Sequence, residues 1–286
     1  MANRASRIER FQPSDVVLRL PLTACENLVI SGLSAAQMRI AFVLIALCHQ
    51  ASGRSFIIEK NRLEQLSAVT LNTVEKLLAP LMNARIDADG HELHGEFVFE
   101  NIAYDPGEKG KKVGRVRATM SIAMGHFLAF GRNRLVEFPA DEMRLYSTMG
   151  AIILRIRLGA IFAGHKTGAG ASIRISGRDV SAIFGSYGRT AVIKRLSAKT
   201  GETVERVALS RVSAMLVEPA IDEINENCRS MSLKSTSLLD GRNAVAILID
   251  AKRLQPKTTA PKPAPRATRP IVRGRPTRAV VKPQNS

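Results

Sequence analysis

The order of hydrophobic periodicities along the 286 residues constrains the fold most, because one order of elements is run through twice. In the first pass, Ser34–Gln50 places Met38, Ala41, Phe42, Ile45 and Leu47 mostly at helical spacing, with Ser34 suited to cap the N-terminus. A β-like run, Ser55–Ile58, follows. Arg62–Ser67 and Leu71–Arg85 then read as two helices around the tight turn Ala68-Val69-Thr70, with Thr70 capping the second. Leu63, Leu66, Val69, Val74, Leu77 and Leu81 can meet in one small core. After Asp87-Ala88-Asp89-Gly90 the period changes to two. Glu96–Tyr104 and Arg115–Ile122 flank a Gly- and Lys-rich loop, residues 105–112, and predict a β-hairpin with a basic tip.

The second pass begins with Asp141–Ala163, a long apolar helix. Ile173–Ile175 reads as a strand, Ser176–Gly185 as a short helix opened by Ser176, and Thr203–Asn227 as a long amphipathic helix. Ser230–Lys234 and Ala244–Asp250, around Leu239-Asp240-Gly241-Arg242, predict a second hairpin. Both long helices carry a proline at a matching place, Leu77-Leu78-Ala79-Pro80-Leu81 and Leu216-Val217-Glu218-Pro219-Ala220. An interior proline costs ~3 kcal/mol unless the helix bends, so a bend is expected in each. Helices followed by a hairpin make a winged helix. The predicted fold class is α+β: a flexible leader at 1–20, two tandem winged-helix domains at 21–135 and 136–251, and a disordered basic C-terminal tail at 252–286.

Charge points to a polyanionic partner. Of the net +17, residues 252–286 supply +10, with ten Lys or Arg and no acid, and leave +7 for residues 1–251. The tail also holds seven prolines and too little apolar surface to offset its ordering entropy. Cys25, Cys48 and Cys228 are scattered and form no CxxC pair, so neither a zinc ribbon nor a disulfide framework is indicated. The longest apolar run, Ile40–Cys48, is far too short to span a bilayer, and the N-terminus lacks a signal-peptide core. A cytoplasmic location with no membrane partner is expected.

Candidate DNA-binding residues fall in four groups. Thr70, Asn72, Thr73 and Lys76 lie near the N-terminus of the first proline-bearing helix, the end that meets base edges in a major groove. Asparagine can pair with adenine, and lysine can reach guanine or a phosphate. Lys109, Lys111 and Lys112 lie in the first hairpin's tip, the place of a wing. In the second half, Arg189, Lys194, Arg195 and Lys199 precede the long helix and suit phosphate contacts. Arg206, Ser210 and Ser213 are expected on that helix, opposite Val204, Ala208, Val212, Met215 and Leu216, with Arg206 and Ser210 as the contact candidates and Arg242 at the last hairpin's tip. In the tail, Arg273-Gly274-Arg275-Pro276 looks like the core of an AT-hook, because narrow A·T minor grooves attract arginine.

No catalytic, metal or cofactor site is predicted. The five histidines are scattered, and His91 and His94 stand as a lone HxxH beside Glu92 and Glu96. There is no GxxxxGK[ST] loop.

The heptapeptide Pro219-Ala220-Ile221-Asp222-Glu223-Ile224-Asn225 resembles the signature helix of the initiator replication proteins of iteron plasmids, which are tandem winged-helix proteins. The similarity spans residues 142–250, through Glu142–Ala163, Ser176–Gly185, Glu218–Asn225 and Gly241-Arg242. Residues 22–130 are compatible with it. Residues 186–202 depart from it, being longer and less hydrophobic, and the AT-hook-like tail is not a general feature of the family. The resemblance implies sequence-specific binding of double-stranded DNA at origin repeats and at the protein's own promoter. It also implies melting of adjacent A·T-rich DNA, recruitment of a host initiator and replicative helicase, and a monomer–dimer equilibrium. The residues read alone also admit a winged-helix transcriptional regulator. A metal-dependent primase or nuclease would need clustered carboxylates, for which Asp87/Asp89 and Glu92/Glu96 are the candidates.

Overall fold

One helix buried without a break from Ile40 to Ala46, another that buries all but its two end residues, and short strands that bury every second side chain set the architecture. A helix apolar all round belongs inside a protein rather than on its surface. The computed structural model describes residues 16–254, apart from 28, 52, 72–73, 88–91, 108–113, 130–133, 166–167, 197–202 and 242. The chain opens with β1 (Val17–Pro21), α1 (Leu22–Asn27) and β2 (Ile30–Ser31). The first of the two buried helices, α2 (Ala35–Gln50), follows, and its N-terminus is closed by a full capping box between Ser34 and Gln37. Then come β3 (Ser55–Glu59), α3 (Lys60–Ser67), α4 (Val74–Leu78) and a 3₁₀ turn at Ala79–Asn83. Next are β4 (Arg85–Ile86), β5 (Phe99–Asp105), β6 (Arg115–Met120), α5 (Ile122–Ala129) and β7 (Leu135–Pro139).

The second half runs through α6 (Ala140–Met143), the second buried helix α7 (Met149–Ile161), β8 (Gly170–Ser176), α8 (Asp179–Phe184) and a 3₁₀ segment at Gly185–Ala191. A ribbon, β9 (Val192–Leu196) and β10 (Thr203–Val207), precedes a continuous helix. That helix begins as α9 (Leu209–Val212), widens to π geometry over Ser213–Val217 and continues as α10 (Glu218–Asn227). The last hairpin is β11 (Met231–Asp240) and β12 (Asn243–Arg253).

The repeated order of elements becomes a repeated sheet. The first three-stranded sheet has order β3-β6-β5 and the second β8-β12-β11, all antiparallel. In both, the early strand pairs with the second strand of the hairpin. Alternation explains the register: Val116, Ala118 and Met120 of β6 turn inward while Arg115 and Arg117 stay exposed.

The described residues make one compact unit. Several polar contacts join its halves. Tyr187 Oη donates toward the carbonyls of Leu33 (2.7 Å) and Ile30 (3.1 Å), and the Leu33 N–H donates back to it at 3.2 Å. The buried Asp87 carboxylate accepts from Ser186 N–H at 2.6 Å. Arg157, on α7, donates to the carbonyls of Ala182 (3.0 Å) and Cys25 (3.3 Å). Beside it, Arg155 forms a buried ion pair with Glu142, which also accepts from Tyr146 Oη at 2.6 Å.

Several expectations need correction. Residues 17–20, expected in a leader, belong to β1, which pairs with β7. The expected helix 141–163 breaks after Met143, where the chain turns to place Glu142 and Tyr146 around Arg155, and restarts with Thr148 as N-cap. Ser176 ends a strand instead of opening α8, and the Asp179 carboxylate accepts its N–H at 2.7 Å. Thr203–Val207 is a strand, and the long helix starts only at Leu209. β12 continues through Lys252 and Arg253, so the tail begins later than 252. The expected bends take two forms. Pro80 lies in the 3₁₀ turn after α4, and Pro219 lies where π geometry returns to α. Proline lacks an N–H, and the Glu218 N–H reaches back five residues to the Ser213 carbonyl, which opens the turn.

Candidate nucleic-acid interface

The first helix pair turns on Ala68, which adopts left-handed geometry (φ 49°) at the C-terminus of α3. Of the core expected from sequence, Leu63, Leu66, Val69 and Leu81 are buried beneath the turn and Leu77 is half-buried, and Leu71 joins them. The Glu64 carboxylate accepts the Leu71 N–H at 2.7 Å and fixes the approach to α4. Thr70, Lys76, Ala79 and Asn83 are exposed along this segment. Asn72 and Thr73 lie outside the described residues, as do Lys109, Lys111 and Lys112 at the β5–β6 tip.

In the second half Arg189 is exposed on the 3₁₀ segment. Lys194 and Arg195 belong to β9, and Arg206 belongs to β10, where its backbone partner is Ile193. The structure therefore places Arg206 on the ribbon and not on the helix. Ser210 does fall in the first turn of the helix and is exposed. Lys199, Arg242, Arg273 and Arg275 lie outside the described residues.

The helix after the ribbon presents a face that sequence reasoning missed. Leu209, Val212, Ser213 and Val217 point inward, and Ser210, Arg211, Ala214 and Met215 are exposed. Met215 is expected inward from its spacing to Val204 and Ala208, but both lie ahead of the helix, and the side buried by Leu209, Val212, Ser213 and Val217 leaves it outward. The available signal was the Gly201 turn between two β-branched runs, Val192-Ile193 and Thr203-Val204.

The Pro219–Asn225 heptapeptide holds this helix in place. Ala220 packs against Gly150 of α7, where a side chain would collide with the Leu216 carbonyl oxygen. Ile221 and Ile224 are buried. The Glu223 carboxylate accepts from the N–H of Ser147, the N–H of Thr148 (3.0 Å) and Thr148 Oγ1 (2.6 Å), at the N-terminus of α7. Asn225 exchanges two hydrogen bonds with the Leu233 backbone (2.7 and 3.0 Å), which sets the angle of the last hairpin. Burial raises the Glu223 pKa, but the bonds from Thr148 and Ser147 outweigh it and hold the group below the usual carboxylate range. Glu142 is likewise lowered: burial opposes, and Arg155 and Tyr146 prevail.

Reactive chemistry is sparse among the described residues. No group of three or more His, Cys, Asp or Glu could hold a metal ion there. All three cysteines are buried, and burial pushes the Cys25 thiol up to about 12 and Cys48 up to about 11, far from a reactive thiolate. His94 Nδ1 lies 3.8 Å from the Asp87 carboxylate, which already accepts from Ser186. No helix among them is long and apolar enough to cross a membrane.

Neither a protein-family model nor a curated protein sequence matches the chain. Solved structures do. The Pi initiator protein, crystallised in complex with iteron DNA, aligns with a TM-score of 0.57 at 17% identity, over 86% of this chain and 99% of that one. Domains 2 and 3 of RctB align with a TM-score of 0.40 at 10% identity, over 76% and 82%. The fold is thus that of an initiator protein solved with iteron DNA, and the resemblance read from Pro219–Asn225 extends to the architecture.

Proposed function

We propose that this chain is a plasmid replication initiator that binds repeated origin sites in double-stranded DNA. The observation that carries this reading is the duplicated unit, with sheets β3-β6-β5 and β8-β12-β11, inside a fold shared along nearly the whole Pi initiator protein. We read the two units as tandem winged-helix modules. Each offers an exposed helix surface: Lys76 on the first, with Thr70 in the turn ahead of it, and Ser210 and Arg211 on the second. The net charge of +7 on residues 1–251 suits a DNA backbone.

In this reading the β5–β6 and β11–β12 tips act as wings, the ribbon residues Lys194, Arg195 and Arg206 grip phosphates beside the second helix, and the tail adds a flexible basic arm with one minor-groove hook. The protein acts without catalysis of its own, in the cytoplasm. It melts A·T-rich DNA next to its sites, recruits a host initiator and helicase, and switches between promoter-bound dimers and repeat-bound monomers.

The test is maintenance in trans, together with footprinting. An origin fragment on a carrier that cannot otherwise replicate should persist only when the protein is supplied, and repeated sites on it should be protected. Protection without dependence on the protein for maintenance would make it a transcriptional regulator. Metal-dependent cleavage or synthesis on the same DNA would make it an enzyme.

A further inference from the structure

The exposed face of the long helix has a composition that solvent alone does not favour. Met215 is 55% exposed, whereas Met38, Met120, Met124, Met143 and Met231 are all buried. Ala214 lies beside it, and Arg211 lies one turn earlier on the same side. Among the described residues Arg211 makes no ion pair, so its guanidinium is uncommitted. The face sets one uncommitted guanidinium beside an apolar step. It complements a major-groove edge, where guanine offers two acceptors to arginine and thymine offers a methyl group.

Resting on the initiator reading above, we infer that Arg211, Ala214 and Met215 form a base-reading face in which Arg211 takes a guanine and Met215, with Ala214, covers the C5-methyl of a thymine. Spacing sets the relation between the two bases. Four helical residues rise about 6 Å, which is close to two base-pair steps of about 3.4 Å. The site read by the second half therefore contains a guanine with a thymine about two base pairs away. The π turn at Ser213–Val217 belongs to this surface, because Met215 sits at its middle. The Leu216 carbonyl of that turn lies against Gly150 on α7, so the apolar group is held on a rigid support.

The inference is tested on the full chain with a site mapped by footprinting. Each thymine in turn is replaced by uracil, which removes only the methyl group. At one or two positions the wild type should lose about 4-fold in affinity per methyl, the equivalent of one buried carbon. Met215→Ala should show a similar loss on the thymine site and no further loss on the uracil site, and Met215→Leu should keep the sensitivity. Replacing the partner guanine by 7-deazaguanine should weaken the wild type and leave Arg211→Ala indifferent. Specific binding that tolerates uracil everywhere, or a Met215→Ala variant that remains uracil-sensitive, overturns the inference while leaving the initiator reading intact. A chain that shows no site preference at all overturns both.

Discussion

Glu223→Gln tests whether the Pro219–Asn225 helix is a structural joint. The native carboxylate collects three donors: the Ser147 N–H, the Thr148 N–H at 3.0 Å and the Thr148 hydroxyl at 2.6 Å. Glutamine keeps one acceptor oxygen and turns an NH₂ group toward a donor. Bonds to a charged acceptor are worth roughly 1.5–3 kcal/mol and neutral ones roughly 0.5–1.5. The carboxylate that glutamine replaces also faces the positive end of α7, worth about 0.3–1 kcal/mol at exposed sites. Because Glu223 is only half-buried, water makes good part of the difference, and a net cost of about 1–2 kcal/mol follows. For a body of this size the melting temperature should fall by roughly 2–8 °C at pH 7. The pH dependence has a definite sign. The folded pKa is depressed, so the native contribution is complete above the ordinary carboxylate pKa of about 4.3 and fades as pH falls through the lower folded value. Melts followed by circular dichroism should show a constant gap between wild type and variant from pH 7 to about 5, closing below about 4. Glu142 titrates in both proteins and cancels in the difference. Equal stability at pH 7, or a gap that persists undiminished at pH 3, refutes the assignment.

Three further outcomes follow from the structure and sequence. Gly150→Ala gains at most about 1 kcal/mol of helix propensity, but its Cβ meets the immovable Leu216 carbonyl and stands 3.3 Å from the Ala220 Cβ. It should destabilise by about 1–2 kcal/mol in urea titration, and a stabilised variant would mean that the α7–α10 packing is looser than described. Ala68→Gly should stabilise by about 0.5–1 kcal/mol, since relief of left-handed strain exceeds the added unfolded-state entropy; a drop in stability would contradict the turn geometry. Removing residues 256–286 should leave site preference intact and flatten the salt dependence of binding by roughly 0.9 for each phosphate the tail had neutralised, whereas an unchanged slope would mean that the tail does not touch DNA.

Much of the fold was legible where burial imposes a simple period. The helix at Ser34, the turn at Ala68, both outer hairpins and the small leucine core of the first half follow from spacings of two or of three and four. The errors came where two readings fit the same residues. Val204, Ala208 and Val212 stand at helical intervals, but Thr203–Val207 pairs with Val192–Leu196 and is a strand. Placing that boundary wrongly put Arg206 on the helix and drew attention from Arg211 and Met215. In the expected helix 141–163, apolar composition hid a break that tertiary contacts require. Arg155 needs Glu142 beside it, and Glu223 holds the restart at Thr148. Neither partner is visible from local sequence, since 13 residues separate Glu142 from Arg155, and 75 separate Thr148 from Glu223.

The heptapeptide that carried the resemblance touches no proposed base contact, and its geometry explains why it is nonetheless informative. Its residues hold two other elements at three points. Ala220 sets the distance to α7 through Gly150, Glu223 closes the start of α7, and Asn225 ties the helix to β11 through Leu233. Pro219 sits where the π turn returns to α geometry, just past the exposed Met215. A substitution at any of these sites would disturb the helix relative to its sheet, and a base-reading helix must be held to within about 0.5 Å to be useful. The residues proposed to read DNA are under no such joint constraint: Ser210, Arg211, Ala214 and Met215 are exposed, and packing does not dictate their identity. A chain can therefore keep the joints of an initiator fold while carrying a different reading face. That fits a likeness to the Pi initiator protein spread over 86% of this chain at only 17% identity.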